Sequence, residues 1–519
     1  MAGMKSLICC ARWLLAGVVL ALPAAPALAL EPVPEPALES TIASPVATAP
    51  AQLVDAAPDA DADSQWLSVR LAGRKIGHSR IDRMIGPERV STRYTMEFEL
   101  ARDGVAMVMV LDEMHEEGID GQPLAFSSRN LISGLDMRVQ GQRQDDGRFA
   151  VRSGAAGQLR ETTLDWPRGA LLAWGLEQRL RELGTVAGTH TRLKSFQPLL
   201  QDAGELHYQV VGSGPVDLPG GRIELVETEQ NLHMHGAIMT SRVWLDAEMT
   251  MRRMTMDVLG QTLELIDCDR ACALAPNQPA EILTHVLLQP PRPLSRTELA
   301  QPLALDLHSP VPLAAWPGLD GQQLQRLDGE RYRLLTRQPE GDASLAPPAP
   351  DDLVATDWLN YEAEPVQALL TELAAPADAD AGARMAGLER LVNRHIDNKS
   401  LRIGYASAAD AAQLREGDCT EHAVLLAALA RASGIPARVV TGFAWSSQFG
   451  GQASFVPHAW VAAWTGEQWQ AFDAALPGRH QLRLAMHADD GDPWRFYDGL
   501  DAIGQLRIEA IEVIAPPAN

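Results

Sequence analysis

The tightest constraint on this 519-residue chain is the run Gly417-Asp418-Cys419-Thr420-Glu421-His422 and the strong helix formers that follow it. Asp418 and Thr420 suit a helix start, Glu421 to Ser433 propagates the helix, and Gly434 with Pro436 just beyond supplies the stop. Cys419 therefore falls in the first turn, where backbone N–H groups and the helix dipole favour a thiolate. Asp418 and Glu421 read as acidic charges that complement that dipole. His422 reads as a structural partner that packs or hydrogen-bonds beside Cys419. A metal reading of Cys419, His422 and His458 lacks a fourth ligand.

The next two chemically useful groups follow from strand logic. Pro457 to Trp464 reads as one strand and Trp469 to Asp473 as another, joined by the four-residue connection Thr465-Gly466-Glu467-Gln468. If Trp464 faces Trp469, Trp460 faces Asp473, and His458 lies one diagonal step away on the same sheet face. Diagonal neighbours sit roughly 7–8 Å apart, within reach of a carboxylate and an imidazole leaning together. Asp473 can then accept from one His458 nitrogen and leave the other for the Cys419 proton.

These residues resemble the core of the transglutaminase-like superfamily, in its bacterial branch of papain-like cysteine enzymes. The carriers are Arg415 to His422, Leu425 to Leu429, Gly434-Ile435-Pro436-Ala437-Arg438, Val439 to Gly442, His458-Ala459-Trp460 and Trp469 to Asp473. The resemblance covers roughly residues 350–515. It implies Cys419 as nucleophile, His458 as general base and Asp473 as orienter; some relatives require calcium, but no supporting acidic loop is identified here, so no metal and no cofactor are expected. It also implies an oxyanion hole made by the cysteine's own N–H and an upstream polar side chain, for which Tyr405 is the candidate. One departure stands out: members often carry Asp-Pro-Thr at the third site, and this chain has Asp473-Ala474-Ala475.

The remaining sequence sets the address and the organisation. Lys5 and Arg12 precede and flank an apolar run, and Ala27-Leu28-Ala29 resembles a cleavage site, so residues 1–29 read as a signal peptide. The expected location is periplasmic or secreted, with an N-terminal membrane anchor facing the periplasm as the alternative. Loss of Lys5 and Arg12 with the leader takes the net charge from −23 to −25. So acidic a surface disfavours nucleic acid and anionic membranes as partners. Beyond the leader no apolar segment is long enough for a stable membrane span. Cleavage leaves Cys268, Cys272 and Cys419; the first two can close a small disulfide, remain free thiols, or form half a metal site.

Residues 30–63, rich in Pro, Ala and Asp, read as a disordered tether. Residues 64–285 read as a mostly antiparallel β domain with one helix at Arg168–Leu183. Hairpin signals there are Leu71 to Gly77 and Asp103-Gly104, and the region loosely resembles β modules of exported transglutaminase-like proteins. His233 and His235 share a strand face, with His207 as a neighbour, in a weak metal pattern. Residues 286–350 read as a Pro-rich connector that accommodates a small β module, and 351–519 as the catalytic domain. The fold class is α+β: a helical lobe on an antiparallel sheet, closed by strands at Gln481–Met486 and Gln505–Ile514, behind the β domain.

A cysteine, histidine and aspartate in this order imply thiolate attack on a carbonyl and a thioester acyl-enzyme. The expected partner is a protein or peptide of the cell envelope. Hydrolysis of a peptide or isopeptide bond is favoured, since water needs no dedicated acceptor cleft. Transfer to an amine, or a non-catalytic scaffold on the same fold, stays open.

Overall fold

The computed structural model describes residues 64–514 apart from 103–104, 133–134, 156–158, 235–236, 279, 282–284, 338–345, 374–379, 400–405, 450–451, 477–481 and 492–502. The signal peptide, the tether, Tyr405 and His235 lie outside the described residues.

The N-terminal part is built on one large sheet of two meanders. One runs from Ser64–Leu71 outward to Arg160–Leu164; the other runs from Gln261–Asp267 outward to His190–Gln197 and Ala170–Leu171. The two meet where Ser64–Leu71 pairs antiparallel with Gln261–Asp267. Every other pairing along the sheet is antiparallel except two short parallel ones, Ala170–Leu171 on His190–Gln197 and Ala280–Glu281 on Arg89–Arg102. Ala72 and Gly73 both take positive φ (49° and 80°), as a two-residue hairpin with right-handed strand twist requires.

Alternation along each strand places one face inside, and an aromatic cluster draws the two ends of the sheet together. Trp166 lies 4.2 Å from Phe196 and 4.5 Å from Phe149, between ring centroids. The helix is Ala173–Leu183 rather than Arg168–Leu183, because Ala170 and Leu171 are taken up by pairing with the strand at His190–Gln197. Its N-terminus is satisfied by Glu117, which accepts the Trp174 and Gly175 N–H groups at 2.6 and 2.9 Å. A buried Arg83–Glu177 ion pair at 2.5 Å fixes its body.

The C-terminal part combines helices with a four-stranded antiparallel sheet in the order Trp469–Phe472, Gln452–Trp464, Ala437–Phe449, Arg483–Asp489. The helix Cys419–Ala432 is apolar on nearly all sides and buried from Cys419 to Arg431, as a central core helix must be. Helices Glu364–Leu370, Ala381–His395 and Ala408–Leu414 surround it. With so much strand upstream the chain as a whole is β-rich, and the α+β description fits the C-terminal part alone.

The strand read at Gln505–Ile514 belongs elsewhere. Arg507–Val513 pairs with Leu303–His308 in a second four-stranded sheet that also holds Gln323–Asp328 and Arg331–Leu335. That pairing spans some two hundred residues, so no local pattern announces it. The same region grips the site sheet: Leu288 and Phe455 exchange backbone hydrogen bonds, and the Gln322 amide bonds both the C=O and the N–H of Ala485. Among the described residues no helix is long and apolar enough to cross a membrane.

Candidate functional site

The N-terminus of the cysteine helix is held by a reciprocal cap. Asp418 Oδ1 accepts the Thr420 N–H at 2.8 Å, and Glu421 Oε2 accepts the Asp418 N–H at 2.8 Å. Glu421 Oε1 reaches further, to the Ala406 N–H at 3.1 Å, and so ties this helix to the segment before the preceding one. Glu421 is fully buried, which makes it a brace inside the structure rather than a surface charge near a dipole. Gly417 is required by close approach, since a Cβ there would lie 2.5 Å from Glu421 Cβ. His422 Nδ1 donates to the Asp418 carbonyl at 2.5 Å, so this side chain packs beside the site.

The hairpin sets the other two groups in the register read above. Trp464 faces Trp469 and Val461 faces Phe472, with Thr465 N–H bonded to Gln468 O across the turn at 3.0 Å. His458 Nε2 bonds Asp473 Oδ2 at 2.9 Å, and both side chains are buried. The sulfur of Cys419 accepts the N–H of Ala459, the residue after His458, at 3.1 Å. Cys419 thus meets the strand that carries His458, and Asp473 joins the same place through its bond to His458. His458 Nδ1 is buried and has no hydrogen-bond partner among the described residues.

Four side chains at this place were not anticipated from the sequence. Arg483 Nη2 donates to the same Asp473 Oδ2 at 2.9 Å. Glu389, on the helix Ala381–His395, accepts the Asp473 N–H at 2.8 Å, and Asn393 one turn later donates to Ala474 O at 2.8 Å. With Lys399 on Ala475 O at 3.1 Å and Leu476 N–H on Asp473 Oδ1 at 3.0 Å, these bonds shape the turn Asp473-Ala474-Ala475. A lone arginine in the apolar run Leu482-Arg483-Leu484-Ala485-Met486, and an acid and amide at i, i+4 on one helix face, were the available signals.

The family model of the transglutaminase-like superfamily matches residues 367–474, a span that holds Cys419, His458 and Asp473. Residues 367–474 form a transglutaminase-like domain. The large N-terminal sheet and the connector lie outside the match. A β-barrel-like protein of a domain family of unknown function from Brucella abortus is similar at 14% identity over 40% of this chain and 95% of that chain, with a TM-score of 0.32. A provisionally named cysteine protease from Cytophaga hutchinsonii is similar at 16% identity over 42% of this chain and 83% of that chain, with a TM-score of 0.24. Both scores are too low to show a shared fold. No curated protein matches the chain.

The electrostatics of the transglutaminase-like domain revise one expectation. Cys419 is 3% exposed. Burial pushes its thiol well above the ordinary value, and the Asp418, Asp473 and Glu421 charges add to the rise, while the Ala459 N–H opposes it. The helix start alone therefore does not ionise the sulfur, because burial and the neighbouring acidic charges favour the thiol. Asp473 is the reverse case. Burial would raise its carboxyl, but the charge and hydrogen bond of His458, joined by Arg483, outweigh burial and hold it far below the usual carboxylate range.

His422 carries a pH prediction. Burial lowers its titration from 6.5 to about 4, since protonating Nε2 would create a buried N–H with no acceptor. Between those values an unfolded chain takes up a proton that the folded chain refuses. Stability is complete above the ordinary histidine value and falls as pH drops through the window, by about 3 kcal/mol once near pH 4. Urea midpoints measured at pH 7.5 and pH 4.5 should converge for His422→Gln relative to wild type. Equal pH-dependence in the two proteins would contradict this assignment.

Elsewhere, Cys268 and Cys272 form a disulfide. The His207 and His233 rings lie 4.0 Å apart and Glu205 bonds His207, yet among the described residues no group of three or more His, Cys, Asp or Glu is placed to hold a metal ion.

Proposed function

We propose that the chain is an exported thiol hydrolase of the transglutaminase-like type, with Cys419 as nucleophile, His458 as base and Asp473 as orienter. The observation that carries this reading is the divided role of His458: Nε2 is committed to Asp473, while Nδ1 has no partner beside the strand position that meets the sulfur. Because the thiol is neutral at rest, attack and proton loss are coupled. The Sγ proton passes to His458 Nδ1 as sulfur adds to the carbonyl carbon. The leaving amine then departs with that proton, and a thioester remains. Water, deprotonated by the same imidazole, releases the acid and restores the thiol. Asp473 keeps the imidazole turned and balances its transient charge.

The substrate class is a peptide or isopeptide bond of the cell envelope, with transfer to an amine as the alternative acceptor chemistry. Export is supported by the leader-like residues 1–29 and by the Cys268–Cys272 disulfide, a pairing suited to an oxidising compartment. A second reading has its own support: a sulfur that is buried and protonated also suits a binding scaffold derived from an enzyme. Incubation of purified protein with envelope extract and a tagged primary amine separates the readings. New termini would indicate hydrolysis, tag incorporation transfer, and neither outcome together with partner capture by wild type and Cys419→Ala alike would favour the scaffold.

A further inference from the structure

Asp473 is not a private partner of His458. Its Oδ2 accepts His458 Nε2 and Arg483 Nη2, each at 2.9 Å, while Oδ1 is occupied by the Leu476 N–H. The Arg483 guanidinium also lies 5.8 Å from the Trp460 ring, and Trp460 stacks on His458 at 6.1 Å with 22° between planes. Carboxylate, imidazole, indole and guanidinium therefore close a ring on one face of the site sheet. The arginine arrives from the strand Arg483–Asp489, on the far side of Ala437–Phe449 from the hairpin, so its placement is independent of the turn that places Asp473.

We infer that Arg483 is a positioning residue that divides the Asp473 charge between two cations and so restrains how strongly His458 holds a proton. The inference rests on His458 acting as the base for Cys419. A carboxylate facing one imidazole alone favours the imidazolium strongly, and such a base surrenders its proton to the leaving group reluctantly. A permanently charged guanidinium on the same oxygen weakens that pull and repels the imidazolium. The other charged and titratable groups around the pair act differently. Glu389, on the helix Ala381–His395, takes the Asp473 N–H and not its carboxylate; Lys399 bonds Ala475 O; Asp418, Glu421, His422 and Cys419 approach from the cysteine helix. Among the described residues only His458 and Arg483 bring positive charge into hydrogen-bond contact with the Asp473 carboxylate.

The outer side of Arg483 opens on a cavity of about 280 Å³ lined also by Leu319, Asp320, Gln322, Thr336 and Arg337. A shorter or differently shaped side chain at position 483 can be accommodated there without overpacking.

The test is histidine NMR on full-length wild type, Arg483→Gln and Arg483→Lys, with His458→Asn to assign the resonance, alongside iodoacetamide labelling of Cys419 across pH. Arg483→Gln should raise the His458 protonation midpoint by about one pH unit, and Arg483→Lys, which keeps the charge, should leave it within about a third of that shift. The alkaline limit of Cys419 labelling should move with it. A midpoint that stays put in Arg483→Gln while thermal stability falls would make Arg483 a structural ion pair only. Should Arg483→Gln fail to fold, Arg483→Lys decides: a full-unit rise with charge retained overturns the inference. If the midpoint responds to Arg483 but labelling has no histidine-linked limb in wild type, the positioning role stands and the thiol-enzyme reading falls. If labelling is histidine-linked and the midpoint does not respond, the reverse holds.

Discussion

Cys419→Ser is expected to abolish acyl-enzyme formation and to lower any hydrolysis or transfer by at least about 10³-fold, while the fold persists. The structural cost is small. Serine is well suited to a helix start, the reciprocal cap between Asp418 and Glu421 does not involve the substituted side chain, and sulfur to oxygen removes little volume. The chemical cost is large. An alcohol is far more reluctant than a thiol to give its proton to an imidazole, and this site already resists ionisation through burial and three nearby carboxylates. The measurement is intact-mass detection of a trapped acyl adduct after exposure to envelope extract, with circular dichroism as the folding control. A serine variant that retains wild-type turnover would remove Cys419 from the chemistry, and with it the whole reading of the site.

The site was legible wherever its determinants were local. Gly417, Asp418, Gly434 and Pro436 mark the ends of the cysteine helix, and their effect needs no tertiary partner. His458 and Asp473 could be paired because a four-residue hairpin fixes register, and register fixes which side chains share a face. What escaped was non-local. Arg483 meets Asp473 only once its strand is paired to Ala437–Phe449, and Glu389 only once its helix is packed against the turn. The raised thiol of Cys419 has a non-local origin too. A helix dipole can be read from a cap and a stop signal, whereas desolvation depends on everything that later covers the sulfur. The connector sheet is the extreme case, since Arg507–Val513 finds Leu303–His308 across most of the C-terminal half.

Gly442→Ala is expected to destabilise the transglutaminase-like domain by about 3 kcal/mol and to disturb the site through its sheet. Gly442 lies opposite His458 in the pairing of Ala437–Phe449 with Gln452–Trp464, at the point where the register with Arg483–Asp489 shifts. A Cβ there would lie 2.0 Å from Leu484 O and 3.0 Å from Leu484 C and Met486 N. All three are backbone atoms, so no rotamer change relieves the clash, and the strand that carries Arg483 must move or the His458 strand must yield. Either displacement separates Arg483 from Asp473, or Asp473 from His458, over hydrogen bonds only 2.9 Å long. Tryptophan fluorescence and circular dichroism follow unfolding of the region, where Trp460 is buried beside His458. The urea midpoint read by fluorescence should fall clearly in Gly442→Ala, and the histidine-linked iodoacetamide reactivity measured in the absence of urea should weaken with it. A midpoint shift corresponding to less than about 0.5 kcal/mol would mean that the two strands can part there at no cost, and the rigid placement of Arg483 against Asp473 would lose its structural basis.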